Sequence, residues 1–156
     1  MKIAIGSDHR GYSTKEKIRE MLSSKGHEVL DFGTAAPAGC DYPDLAYPTC
    51  KSITQGQAEM GILLCGSGIG MSISANKVRG IRAALCHDEL TAEMSRRHNN
   101  ANVLCLPADL VGEELTRRIV EVWLRTPFEG GRHDRRVRKI GEYEGKEFIT
   151  PPPVQG

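Results

Sequence analysis

Gly61-Ile62-Leu63-Leu64-Cys65-Gly66-Ser67-Gly68-Ile69-Gly70-Met71-Ser72 is the stretch on which the fold turns. Gly61–Leu64 is a short apolar run, the pattern of a strand buried on both faces. Alternating glycines follow, and the spacing then predicts a short helix over Met71–Val78. Strand, glycine loop and helix form the opening half of a βαβ unit. The same alternation recurs on either side. Strands are predicted at Lys2–Gly6, Glu28–Phe32, Ala83–Cys86 and Val103–Leu106. Helices are predicted at Ser13–Lys25, Tyr42–Thr54, Asp88–His98 and Gly112–Arg125, with a basic C-terminal helix from about His133 to Tyr143. Gly26 reads as the residue that stops the first helix. Pro48 should bend or shorten the second, because it lacks an N–H and crowds the preceding turn. The pattern is that of an α/β fold with a Rossmann-like parallel sheet. One domain is expected over residues 1–146, followed by an extended Pro-rich tail at 147–156.

Composition narrows the function classes. A chain of 156 residues can bury a core without staples. Charged residues make up 26% and the formal net charge is +1, so general nucleic-acid affinity is not expected. The apolar runs are too short to cross a membrane. The chain opens on a strand-like Met1–Ile5 with no targeting segment, which points to the cytoplasm. Cys40, Cys50, Cys65, Cys86 and Cys105 are odd in number and contain no C-x-x-C pair. They read as reduced thiols, neither a disulfide framework nor a zinc site. His9, His27, His87, His98 and His133 show no paired ligand spacing, so no metal is expected.

In such a sheet, ligands bind outside the carboxyl ends of the strands. After the first strand comes Gly6-Ser7-Asp8-His9-Arg10-Gly11. Its carboxylate, imidazole and guanidinium can move a hydroxyl proton and meet an anion; alternatively, Asp8 only caps the next helix. After the third strand, the amides of Gly66, Ser67, Gly68, Ile69 and Gly70 form a nest suited to a phosphate or an oxyanion. The Gly-Lys-Ser/Thr ending of a Walker loop is absent. The third glycine also comes one position too early for a dinucleotide fingerprint, although Asp88 could serve as its acidic residue. Cys65 stands directly before the nest, where a thiol can act as base or nucleophile. The other cysteines read as packing residues.

His98 and Asn99 close the fourth predicted helix. They could be an acid/base group and a hydroxyl contact, or simply a helix C-cap. Arg132 and Arg136 lie four apart in a run of basic residues. On a helix they share a face and could clamp a phosphate. A solvated face is the plainer reading, and a nucleic-acid patch lacks the interleaved aromatics it would need.

Taken together, Gly6-Ser7-Asp8-His9, Asp41-Tyr42-Pro43, Cys65–Gly70, Ala75-Asn76-Lys77, Gly80-Ile81-Arg82-Ala83, His98-Asn99 and Gly130-Gly131-Arg132-His133 resemble ribose-5-phosphate isomerase B and its sugar-phosphate isomerase relatives, which include galactose-6-phosphate isomerase subunits. The resemblance implies a three-layer α/β/α sandwich with a five-stranded parallel sheet, needing no cofactor and assembled as a homodimer or homotetramer. By position, it makes Cys65 the base for the C2 proton and His98 the group that opens the furanose ring. Asp8 and His9 become substrate contacts, with Asp8 shuttling hydroxyl protons, and Asn99, Arg132 and Arg136 become ligand and phosphate contacts. Ser67 stands where threonine is common and keeps the hydroxyl. Asp109 departs from the pattern, because the family often places an arginine there near the phosphate.

The expected activity is therefore ribose 5-phosphate to ribulose 5-phosphate isomerisation, with Ser67 and the nest stabilising an enediolate. The alternatives are a six-carbon sugar phosphate (allose or galactose 6-phosphate) and a non-catalytic nucleotide or sugar-phosphate-binding module. His98 lies ten residues along a helix that starts at the Cys65 edge of the sheet, roughly 15 Å away. An acid/base group must come within about 3 Å of its target. His98 is thus either a helix cap or part of a neighbouring subunit's site.

Overall fold

The computed structural model describes residues 1–144; the expected tail at 147–156 lies outside the described residues. Five strands, β1 (Lys2–Ser7), β2 (Glu28–Asp31), β3 (Met60–Cys65), β4 (Ala83–Leu85) and β5 (Val103–Pro107), form one parallel sheet in the order β2-β1-β3-β5-β4. The helices are α1 (Tyr12–Ser24), α2 (Tyr42–Thr54), α3 (Ile69–Ala75), α4 (Glu89–Asn99), α5 (Glu113–Arg125) and α6 (Arg132–Glu144).

Alternation along β3 builds the two faces. Ile62 and Leu64 pack with Ile3, Ile5, Leu22, Ile119 and Trp123 beneath α1 and α5. Leu63 and Cys65 pack with Ala46, Cys50, Met71 and Cys105 beneath α2 and α3. This is the expected three-layer sandwich, with helices on both faces of the sheet. The second face is thin, and α2 lies almost on β1. A Cβ added to Gly6 would stand 2.4 Å from the Thr49 Oγ1.

The local signals hold with small shifts. Gly26, at φ +80°, is the C′ residue of α1. Its amide donates to Ser23 O and the His27 amide to Leu22 O, the two bonds of a Schellman ending. Pro48 does not shorten α2, which keeps the predicted bounds. Ala46, Thr49 and Cys50 are buried on either side of it, so tertiary packing outweighs the lost backbone bond. α3 starts at Ile69, two residues before the predicted Met71, because Gly68 adopts φ +73° and serves as its N-cap. The α4 cap is Asn100 at φ +47°, while His98 and Asn99 lie inside the helix. Asp88 caps the other end of α4, where its carboxylate accepts the Thr91 amide at 2.7 Å. That bond holds Asp88 below the usual carboxylate range. A nucleotide reading would have needed the same carboxylate.

Candidate active site

The chain leaves β1 for β2 on one side and returns to β3 on the other, so the strand order reverses between β1 and β3. Open α/β sheets bind ligands in the crevice outside such a reversal. The register pairs Ser7 with Leu64 and Cys65 with Pro107, so the loops after β1, β3 and β5 emerge side by side. Backbone bonds tie them together: Asp8 N to Leu64 O at 3.2 Å, Ala108 N to Cys65 O at 2.9 Å and Asp109 N to Gly66 O at 3.0 Å. Between these loops and the start of α2 lies a cleft of about 400 Å³. Of the expected residues, Asp8, Cys65, Gly66, Ser67 and Gly70 line it.

Cys65 ends β3 with 5% exposure, and its Sγ accepts the Gly68 amide at 3.2 Å. The other buried thiols lack this setting. Burial pushes Cys50 up to about 12 and Cys105 well above the ordinary thiol range. Cys86 is also raised by burial, so all three favour the neutral thiol.

Asp8 is buried, and its Oδ1 accepts the Arg10 and Gly11 amides at 3.0 and 3.1 Å. It therefore shapes the loop ahead of α1, whose own N-cap is Gly11. Asp8 is not the helix cap, and it lines the cleft. The curl turns His9 aside, where its Nδ1 accepts a long 3.5 Å bond from the Cys40 amide. His9 is not among the cleft-lining residues.

The amide nest is smaller than expected. The Gly68 amide is used by Cys65, and the Ile69 amide donates to Ser67 Oγ at 3.3 Å. Ile69 itself is 52% exposed outside the cleft. The early start of α3 accounts for this, since it draws both amides into the loop and first turn. Among the described residues, the Gly66, Ser67 and Gly70 amides have no protein acceptor. These three remain for a ligand oxygen.

Four further residues, Arg10, Tyr42, Asp109 and Leu110, line the cleft without having been expected there. Tyr42, at the start of α2, lays its ring over Gly70, where an added Cβ would meet Cζ at 2.7 Å. Arg10 and Asp109 join across two loops, Nε to Oδ2 at 2.5 Å. The carboxylate raises Arg10 above its ordinary value, first through this hydrogen bond. Each had a signal in its position just after a strand or at a helix start, but neither spacing nor periodicity reveals that they meet.

His98, Asn99, Arg132 and Arg136 do not line this cleft. The His98 ring stacks on His133 of α6, with centroids 4.2 Å apart and planes 6° apart. Burial, then the neighbouring His98, pushes His133 below its ordinary value. Asn99 lines a separate groove of about 440 Å³ with Arg82, Ile140 and Tyr143. Arg132 and Arg136 are exposed on α6. Folding also gathers one potential metal-ligand set that spacing could not reveal: His98, Glu129 and His133 bring ligand atoms within 4.8 Å of one another. The Glu129 carboxylate is already held by Arg97 at 2.9 and 3.2 Å.

The thiol, the carboxylate and the unclaimed amides gather at the carboxyl edge of a parallel sheet, where an α/β enzyme of this architecture places its ligand. Residues 3–140 match one family across nearly this whole span. The chain belongs to the Ribose/Galactose Isomerase family, whose relatives are sugar-phosphate isomerases. It is 46% identical to the D-erythrulose-4-phosphate isomerase of Pectobacterium atrosepticum, over 94% of this chain and 97% of the relative. The ribose-5-phosphate isomerase B of Clostridium thermocellum superposes with a TM-score of 0.91 at 50% identity, covering 92% of this chain and 97% of the other. The Mycoplasma genitalium ribose-5-phosphate isomerase B, solved with bound ribulose-5-phosphate, superposes with a TM-score of 0.90 at 42% identity, covering 94% and 97%.

Proposed function

We propose that the chain interconverts ribose 5-phosphate and ribulose 5-phosphate through an enediolate, with Cys65 as the base. The observation carrying this reading is the Cys65 sulfur, held by the Gly68 amide in a cleft lined by Asp8 and Ser67. The thiolate takes the C2 proton while the C1 carbonyl oxygen gains the charge. The Gly66, Ser67 and Gly70 amides meet that oxygen; one such donor contributes roughly 3–4 kcal/mol to an oxyanionic transition state. Asp8 moves the hydroxyl proton from O2 to O1, and the thiol returns its proton to C1. Every proton and electron pair stays within the sugar and these two side chains.

Ring opening by His98 and phosphate contact by Asn99, Arg132 and Arg136 come, in this reading, from a second copy of the chain. Ile69 and Ile73 on α3 and Leu110 at the cleft are 52%, 58% and 65% exposed, apolar side chains available for that contact. The five cysteines are free, in keeping with a reducing, cytoplasmic setting. Among the described residues, no helix is long and apolar enough to cross a membrane.

The test is formation of ribulose 5-phosphate from ribose 5-phosphate with EDTA present. Turnover is expected; ligand binding without turnover on any sugar phosphate would overturn the reading in favour of a binding module. The four-carbon substrate named for the Pectobacterium relative supports a second reading with a different sugar. Comparing kcat/KM across four-, five- and six-carbon phosphates separates the two.

A further inference from the structure

Among the described residues, Arg10 is the one cationic side chain lining the cleft, and it faces two carboxylates there, Asp8 and Asp109. Its place is set from both ends. At the backbone, Asp8 Oδ1 accepts the Arg10 amide at 3.0 Å. At the side chain, Nε donates to Asp109 Oδ2 at 2.5 Å, while the Asp109 amide donates to Gly66 O at 3.0 Å. The pair lies directly across Gly66, one residue from the Cys65 sulfur. A Cβ on Gly66 would stand 2.5 Å from Asp109 Oδ2 and 2.8 Å from Arg10 Nε. Only Nε is engaged. Among the described residues, the two terminal nitrogens of Arg10 have no protein acceptor, and the side chain is 58% exposed.

We propose that Arg10 binds the phosphate of the sugar phosphate through its terminal nitrogens, with Asp109 as the positioning residue that aims the guanidinium along the cleft. A guanidinium presents paired donors that match phosphate oxygens. Asp109 alone would repel a phosphate. Paired through Nε, it instead fixes the plane of the fork and leaves the other edge for the ligand. The cation is thus delivered from the loop after β1, and the loop after β5 supplies its anchor. This inference rests on the sugar-phosphate reading.

The experiment titrates inorganic phosphate calorimetrically into wild type, Arg10→Ala and Arg10→Ala/Asp109→Ala, and measures KM and kcat for ribose 5-phosphate. Arg10→Ala is expected to weaken phosphate binding and raise KM by about tenfold or more, with kcat within about threefold, as for loss of one charge-assisted contact. The double variant removes the repelling carboxylate and should recover part of the affinity, remaining about threefold or more below wild type. Arg10→Lys, which keeps the charge but not the fork, should fall between wild type and Arg10→Ala. Three outcomes overturn the proposal: no phosphate binding by wild type, unchanged binding by Arg10→Ala, or full recovery in the double variant, which would make Arg10 only a neutraliser of Asp109. Wild type that binds phosphate through Arg10 yet isomerises no sugar phosphate would overturn the isomerase reading instead.

Discussion

Cys65 and Cys105 are both buried thiols on adjacent strands, yet their surroundings differ. Cys105 lies wholly within the sheet and is held neutral by burial. Cys65 ends its strand one residue before the loop and holds an amide donor at its sulfur. Proton transfer should therefore depend on the first thiol and stability on the second. Cys65→Ala is expected to lower kcat more than tenfold, above about 1.4 kcal/mol, with phosphate affinity nearly unchanged. Retention of more than a tenth of wild-type kcat would exclude Cys65 as the base. Cys105→Ala should shift the urea midpoint and leave kcat close to wild type. Position at the strand end was visible in the chain; the amide on the sulfur was not, because it depends on Gly68 turning left-handed.

α6 is held to α4 through the stacked His98 and His133 rings and through Arg97, which grips Glu129 ahead of α6. His133 is buried, with His98, Arg132 and Arg136 as cationic or titratable neighbours and Glu129 as the opposing charge. Its folded-state pKa is depressed, so the unfolded or undocked segment binds the proton more readily. The docking free energy is therefore complete above the ordinary histidine value of 6.5 and declines as pH falls from there through the depressed folded value. The protection factors of α6 amides, exchange rates divided into the intrinsic rates at each pH, should fall between pH 7 and about pH 5 before those of the β3 core do. Equal protection at both pH values would refute the histidine contact as the anchor. A sequence carrying His98 and His133 35 positions apart gives no sign that they stack.

The two clusters, one around Cys65 and the other around His98, sit at separate places on a single chain. A symmetric pair of chains can bring one cluster of each copy against the complementary cluster of the other. Mixing Cys65→Ala with His98→Ala after dissociation and reassociation tests this directly. In a mixed dimer with shared sites, one site receives both lesions and the other neither. Random pairing should then restore roughly a quarter of wild-type activity. Sites built within single chains would give no recovery despite proven subunit exchange.

The chain's periodicity was enough to place five strands and six helices, with most ends within two residues, because burial on one or both faces leaves a local hydrophobic pattern. It also put Cys65 at the end of a strand and Asp8 and Ser67 in the loops just after strands, at the edge where a parallel sheet takes its ligands. It could not say which loops would be neighbours. The order β2-β1-β3-β5-β4 rests on pairings between distant residues, and no local pattern records them. That order brings Arg10 to Asp109 across 99 positions and sends His9 toward Cys40. Which side chains converge depends on where whole strands and helices come to rest, and that is settled by packing over the entire core rather than by any single stretch of chain.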